Sequence, residues 1–173
     1  MDERTPEASQ FFWLLDELNY GVVLIDTDLK ILWLNHALED LFGIRRENVQ
    51  GQDVLSFIRE AIVPRIDDGA SLLERASASV AGGVSIRDVE CHLKEPVAGV
   101  EWLDYSSQIV ENGPFAGMRM DIYQDVTLRK QLEEELAQHF GHLGEMIEER
   151  TKELRELNEQ LQHEIQDRRR VEE

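Results

Sequence analysis

Hydrophobic and polar positions change period several times along the chain, and each change marks an element. Behind Thr5 as a candidate N-cap and Pro6 at the first helical position, Phe11, Leu14, Leu15 and Leu18 recur at helical spacing, which predicts a short amphipathic helix ending at Asn19-Tyr20-Gly21. Two β-rich runs follow, VVLID (22–26) and ILWLN (31–35), and the polar stretch Thr27-Asp28-Leu29-Lys30 between them predicts an antiparallel hairpin. HALEDLFGI then reads as a brief helix with Leu38, Leu41 and Phe42 inward and Gly43 as its stop. Short helical segments extend to Gly82-Gly83, the last of them starting at Pro64, broken at Gly69, and carrying Leu72, Leu73, Ala76 and Val80 at helical spacing. Strand patterns at 85–93, 100–110 and 115–126 come next, joined by KEPVAG and ENGP, whose Gly, Pro and Asn suit hairpin loops. This order predicts an α+β fold, a five-stranded antiparallel sheet with helices on one face.

Beyond Thr127 the pattern becomes one long helix without proline. With Phe140 at heptad position a, Leu136, Leu143, Ile147, Leu154, Leu157, Leu161 and Val171 also take a or d sites, and Arg150, Glu164 and Arg168 interrupt the seam. A helix this long cannot bury its apolar stripe on a domain of about 100 residues, so the spacing predicts a coiled coil formed by self-association. The charges in the seam lower its stability, because each buried charge costs more than the Leu it displaces. The expected organisation is a capping helix at 1–20, an α+β domain at 21–127 and a coiled-coil helix or linker at 128–173.

Charge and composition narrow the partners. A formal net charge of −18 repels nucleic acid and anionic membrane surfaces. The single cysteine, Cys91, cannot form an intramolecular disulfide or a multi-cysteine metal site, which fits a reducing cytoplasm. No apolar run approaches the roughly 20 residues needed to span a bilayer, and the first ten residues lack signal-peptide character. A cytoplasmic location is therefore expected.

GVVLIDTDLKILWLNHALEDLFGI, then Gly51, then DVT at the end of the last strand occur in the order found in PAS domains, the small sensory fold of signalling proteins, and the chain from about Tyr20 to Thr127 resembles that family. The tail EERTKELRELNEQLQHEIQDRRRVEE is similar to the helical linkers of sensor histidine kinases. The resemblance implies a sensory and dimerisation module, the front part of a longer receptor, that pairs with itself as a parallel homodimer and hands its output to a further PAS or kinase module. A ligand-free scaffold used for dimerisation or recruitment is the alternative. Asp26 and Asn35 sit at strand ends, where short polar side chains fix turns, and Gly43 and Gly51 suit backbone that a side chain disfavours.

Each cofactor familiar in this family needs particular residues. Flavin photosensors carry N-C-R-F-L-Q after the glycine matching Gly51; here Asp53 and Val54 stand at the asparagine and cysteine positions, which excludes cysteinyl-flavin chemistry. Haem is disfavoured because residues 64–83 contain no histidine, while His92 faces away from the core if Val89, Cys91 and Leu93 face inward, and His36 opens a helix at the surface. Trp33, Trp102 and Tyr105 are candidate platforms for a non-covalent flavin, although core or interface roles suit such aromatics better. A small metabolite with an acid group would need Arg87 or Arg119, both expected to be solvated strand residues. The candidate pocket is Val89, Cys91, Leu93, Tyr105, Met118, Met120 and Ile122, with Cys91 expected to be buried and inert.

No catalytic motif is present, and His139 and His142 lack the acidic neighbour and proline of a phospho-acceptor box, so the chain is read as non-enzymatic. At the strand–helix joint, Asp125 is expected to bond the incoming backbone and Thr127 to serve as the helix N-cap, making these two the candidate signal-transfer residues.

Overall fold

The computed structural model describes residues 12–113 and 115–171, so Thr5, Pro6 and Phe11 lie outside the described residues, as does the side chain of Val171. β1 (Gly21–Ile25) and β2 (Ile31–Leu34) pair antiparallel, as the short connection between them requires. Their turn is set by Asp26, whose carboxylate accepts from the N–H groups of Asp28 and Lys30 at 2.9 and 2.8 Å. Helices α1 (His36–Phe42), α2 (Arg46–Val49) and α3 (Val54–Phe57) follow; a π-helical turn (Ile58–Ile62) and a 3-10 turn (Val63–Arg65) then lead to α4 (Gly69–Gly82). Gly43 ends α1 at φ 63° and Gly51 takes φ 81°, the left-handed backbone for which glycine carries no steric penalty. β3 (Ile86–Val97), β4 (Val100–Ile109) and β5 (Arg119–Asp125) complete one antiparallel sheet in the order β2-β1-β5-β4-β3.

Asn35 explains how the front of the domain is held. Fully buried, it caps α1 by accepting from Leu38 N–H at 3.2 Å, accepts from Val22 N–H at 2.9 Å, and donates to the carbonyls of Leu15 and Tyr20 at 3.1 and 2.9 Å. One amide side chain thus joins β1, α1 and the segment before β1. All of its hydrogen-bonding capacity that matters for burial is used.

The helices cover one face of the sheet, and the other face is covered around β1 and β2. On one, Val23, Ile25, Val89, Cys91, Leu93 and Tyr105 pack against Leu38, Phe42, Phe57, Ile62 and Leu72 of the helical layer. On the other, Val22, Leu24 and Trp33 lie under Phe12, Leu15 and Leu18, with the Phe12 and Trp33 rings 5.2 Å apart and the Arg46 guanidinium 4.8 Å from the Trp33 ring. Residues 12–16 are helical, as the spacing predicts, but the packed stripe is Phe12, Leu15 and Leu18, whereas Leu14 is exposed.

Two strand limits also differ from the pattern. β3 runs through Pro96 to Val97, and the hairpin closes on Ala98-Gly99 alone, at φ 50° and 88°. Proline is tolerated there because β3 is an edge strand. β5 begins only at Arg119; before it, Gly117 N–H bonds Val110 C=O at 2.8 Å and Val110 N–H bonds Met118 C=O at 2.8 Å, folding the segment into a turn.

Backbone contacts divide the chain into two units, residues 1–128 and 129–173. The second consists of the helix α5 (Thr127–Val171) from its third residue onward. Among the described residues, no helix is long and apolar enough to cross a membrane.

Candidate functional site

The joint between β5 and α5 is built by local hydrogen bonds. Asp125 Oδ1 accepts from Thr127 N–H at 2.9 Å, an Asx-type bond that satisfies a donor at the helix start. Thr127 itself does not serve as the N-cap expected of it. It is the first helical residue, and its hydroxyl oxygen accepts from the N–H groups of Glu101 and Trp102 in β4, at 2.9 and 3.0 Å. Val126 N–H adds a bond to Trp102 C=O at 2.9 Å. Val126 and Thr127 are both buried, so the joint is sewn into the start of β4 as well as to its own strand.

The expected inward face of β5 is inverted. Arg119, Asp121 and Tyr123 are buried toward the helical layer, whereas Met120 and Ile122 alternate to the opposite face and Met118 precedes the strand half-buried. Met118, Met120 and Ile122 therefore do not line the pocket with the others; Met120 packs instead against the Trp33 cluster. Hydrophobicity pointed the other way because the inward positions carry the strand's most polar residues. Burial of Arg119 is possible because α4, β4 and Val84 supply partners: it donates to the hydroxyls of Ser79 and Ser107 at 2.9 and 2.8 Å and to the carbonyls of Val84 and Ser79 at 3.2 and 3.3 Å. Arg119 is thus buried and hydrogen-bonded through both terminal nitrogens, contrary to the solvated role expected of it, while Arg87 is exposed.

Asp121 sits beside this network. Burial pushes its carboxyl up to about 6, offset in part by hydrogen bonds from Ser107 and Tyr105 and by the charge of Arg119. Burial likewise drives the phenols of Tyr105 and Tyr123 well above their usual range. Neither Asp121 Oδ1 nor Tyr123 OH has a hydrogen-bond partner among the described residues. The sequence signal that could have found the network is the alternation R-x-D-x-Y in β5, read with polar residues inward.

The other candidate pocket residues come together as expected. Val89, Cys91, Leu93 and Tyr105 share the inner face, all nearly inaccessible. The space between sheet and helices at this level is filled by Tyr105, Tyr123 and Phe42, with ring centroids 5.0 and 5.4 Å apart in successive pairs. Burial raises the Cys91 thiol to about 12, aided by the charge of Asp104, so it is a poor nucleophile. Toward the edge, Val89 and Cys91 line a cavity of about 200 Å³ with Arg75, His92 and Trp102. His92 lies outside the core there, its ring bonded to Asp67 at 2.5 Å and 4.6 Å from the Trp102 ring. His36 is at the surface, bonded to Glu39 at 2.7 Å. Buried Glu39 resists the upward push of burial because Arg46 N–H and His36 bond it, so its carboxyl is held below the usual range.

Along α5 the seam residues Leu136, Phe140, Leu143, Ile147, Leu154, Leu157 and Leu161 are each more than half exposed. Arg150 and Arg168 pair within the helix with Glu153 and Glu164, at 2.8 and 2.6 Å. Among the described residues, no group of His, Cys, Asp and Glu has the arrangement of a metal site.

The comparisons with known proteins agree with this architecture. The PAS fold model matches residues 10–88. No curated protein matches the chain. Among solved structures, an RNA-binding light-oxygen-voltage receptor is similar at 17% identity and TM-score 0.53, over 82% of this chain and 40% of that one. A domain of a sensory box sensor histidine kinase/response regulator from Geobacter sulfurreducens shows 17% identity and TM-score 0.45, over 69% of this chain and 94% of that one. The PAS domain of nitrogen regulation protein NR(II) from Vibrio parahaemolyticus shows 20% identity and TM-score 0.42, over 66% of this chain and 95% of that one. With the family match at its front and the sheet complete through Asp125, this chain has the PAS fold, followed by a long C-terminal helix.

Proposed function

We propose that the chain is the cytoplasmic sensory and dimerisation module of a signal-transduction protein of the two-component type, the front part of a histidine kinase, and that it has no catalytic activity of its own. Two copies pair in parallel through α5, and a change in the PAS domain reaches the paired helices through Asp125 and Thr127. The observation that carries this reading is the row of exposed Leu, Ile and Phe side chains from Leu136 to Leu161 at a and d spacing. A second copy of the same helix is the occupant that matches this row position by position. A helix of 45 residues extends about 68 Å at 1.5 Å per residue, enough for several heptads of contact.

Filling of the inner space by Tyr105, Tyr123 and Phe42 favours, within the same framework, a scaffold whose core holds no ligand. Release of a small molecule from the purified, denatured protein would remove that version.

Light scattering tests the dimer. The full chain is expected at twice its formula mass, and the double variant Ile147→Asp, Leu154→Asp at the formula mass with an unchanged PAS domain. Equal monomeric masses for both would end the proposal. In a Cys91→Ser background, Leu157→Cys should cross-link across a parallel pair, since equal residues meet at d, and should fail to do so if the helices run antiparallel.

A further inference from the structure

A second cavity, of about 470 Å³, lies within the PAS unit between residues 16–21, α1 and the β3–β4 turn. Its volume is in the range of small-molecule sites. The walls divide by chemistry: Leu18, Leu41 and Leu103 give an apolar surface, while Glu17, Asp40 and Asp125 give carboxylates. Among the described residues lining it, none is Lys or Arg.

Two other polar groups at this cavity are already committed. Asp16 is paired with Arg46 at 2.9 Å and accepts from His36 N–H at 3.1 Å, and the His36 ring is bonded to Glu39. Glu17 and Asp40 are exposed and enter no ion pair among the described residues, and Asp125 bonds Thr127 N–H through one oxygen only. An anion entering here meets three carboxylates on a chain of net charge −18. A neutral molecule gains only the apolar wall, whereas a cation with an apolar body gains both.

We infer that this cavity binds a small organic cation, a protonated amine carrying an apolar body, with its ammonium among Glu17, Asp40 and Asp125 and its body against Leu41 and Leu103. The site lies at one end of the space between sheet and helices, where Leu103 and Tyr123 of the inner face meet α1. Since Asp125 is both a wall of the cavity and the partner of Thr127 N–H, the bound ammonium sits next to the strand–helix joint.

Hexylammonium, hexanol and hexanoate share a tail and differ in charge, and each can be titrated into the full isotope-labelled chain while amide resonances are followed. Hexylammonium is expected to shift Gly21, Ala37 and Leu41 saturably, hexanol more weakly and hexanoate not at all. The exposed, isosteric double variant Glu17→Gln, Asp40→Asn should weaken hexylammonium by roughly three- to tenfold without moving the rest of the spectrum. Ala37→Leu, which narrows the cavity, should remove the shifts. Absence of saturable shifts at these residues, equal binding of hexanol and hexylammonium, or hexylammonium affinity unchanged in the double variant would each overturn the assignment. So would an inert hexylammonium in a chain that instead binds a basic peptide at this place.

Discussion

Tyr105 donates its hydroxyl to Asp121 Oδ2 at 2.9 Å, with both side chains buried between the sheet and the helices. Adjacent strands hold them in diagonal register, since Tyr105 pairs with Tyr123 and Asp121 with Ser107. A carboxylate in the middle of a PAS core, and the guanidinium of Arg119 two residues before it, make the inner layer of this domain electrostatically demanding.

Asp121 makes stability depend on pH in a specific direction. Its carboxyl is raised from 3.8 to about 6 in the folded state, so the folded protein holds the proton more tightly than the unfolded chain. The associated stability is fully present below about pH 4 and is lost as pH rises through about 6, an effect on the order of 3 kcal/mol. Asp121→Asn keeps an acceptor for Tyr105 and removes the titration. The difference in unfolding free energy between wild type and this variant, measured by denaturant titration from pH 4 to 7.5, should change across that window; a flat difference would contradict the assignment.

Thr127 should prove structural as well as connecting. Thr127→Val deletes the acceptor of two β4 N–H groups at nearly constant shape and is expected to cost about 1–3 kcal/mol, whereas Thr127→Ser keeps the hydroxyl and most of the stability. Thermal melts of the two variants check this ordering. A Thr127 variant that loses signalling is therefore informative only alongside its melting curve.

The two strand arginines should behave oppositely. Arg119→Met strands four acceptors and withdraws positive charge from beside Asp121, for an expected loss of about 3–5 kcal/mol. Arg87→Met, at an exposed position, should stay within about 0.5 kcal/mol of wild type. Denaturant midpoints compare them directly.

At the β3–β4 turn, Ala98 holds φ 50° before Gly99 at φ 88°, a conformation that two-residue hairpin turns commonly give to Asn or Gly. Ala98→Asn should stabilise the protein by about 0.5–1 kcal/mol, read as a higher denaturant midpoint with unchanged slope.

Most of the backbone plan was legible in the sequence because period carries it. β-rich runs and alternation marked the strands, although β3 runs on through Pro96 and β5 starts later than its pattern suggests, and Asp26, Asn35, Gly43 and Gly51 sit where their side chains or lack of one suggested. What escaped was facing. In β3, apolar Val89, Cys91 and Leu93 point inward and periodicity finds them; in β5, the same rule selects Met120 and Ile122, but both faces of this central strand are covered, so hydrophobicity does not discriminate. Hydrogen-bond satisfaction of Arg119 and Asp121 by Ser79, Ser107 and Tyr105 decides it, and those partners are distant in sequence. Thr127 was misread for a related reason: a threonine at a helix start looks like a local cap, and the donors it meets are in β4.

The place of β5 between β1 and β4 has a consequence for synthesis of the chain. As the protein leaves the ribosome, the hairpins β1–β2 and β3–β4 are complete early, yet each retains an open edge facing the other. Only the last strand joins them, so the domain cannot assemble its sheet until Asp125 has emerged. A nascent chain stalled before that point presents two unpaired strand edges to other chains, which makes the final seven residues of the sheet the step that protects the protein from aggregation during translation.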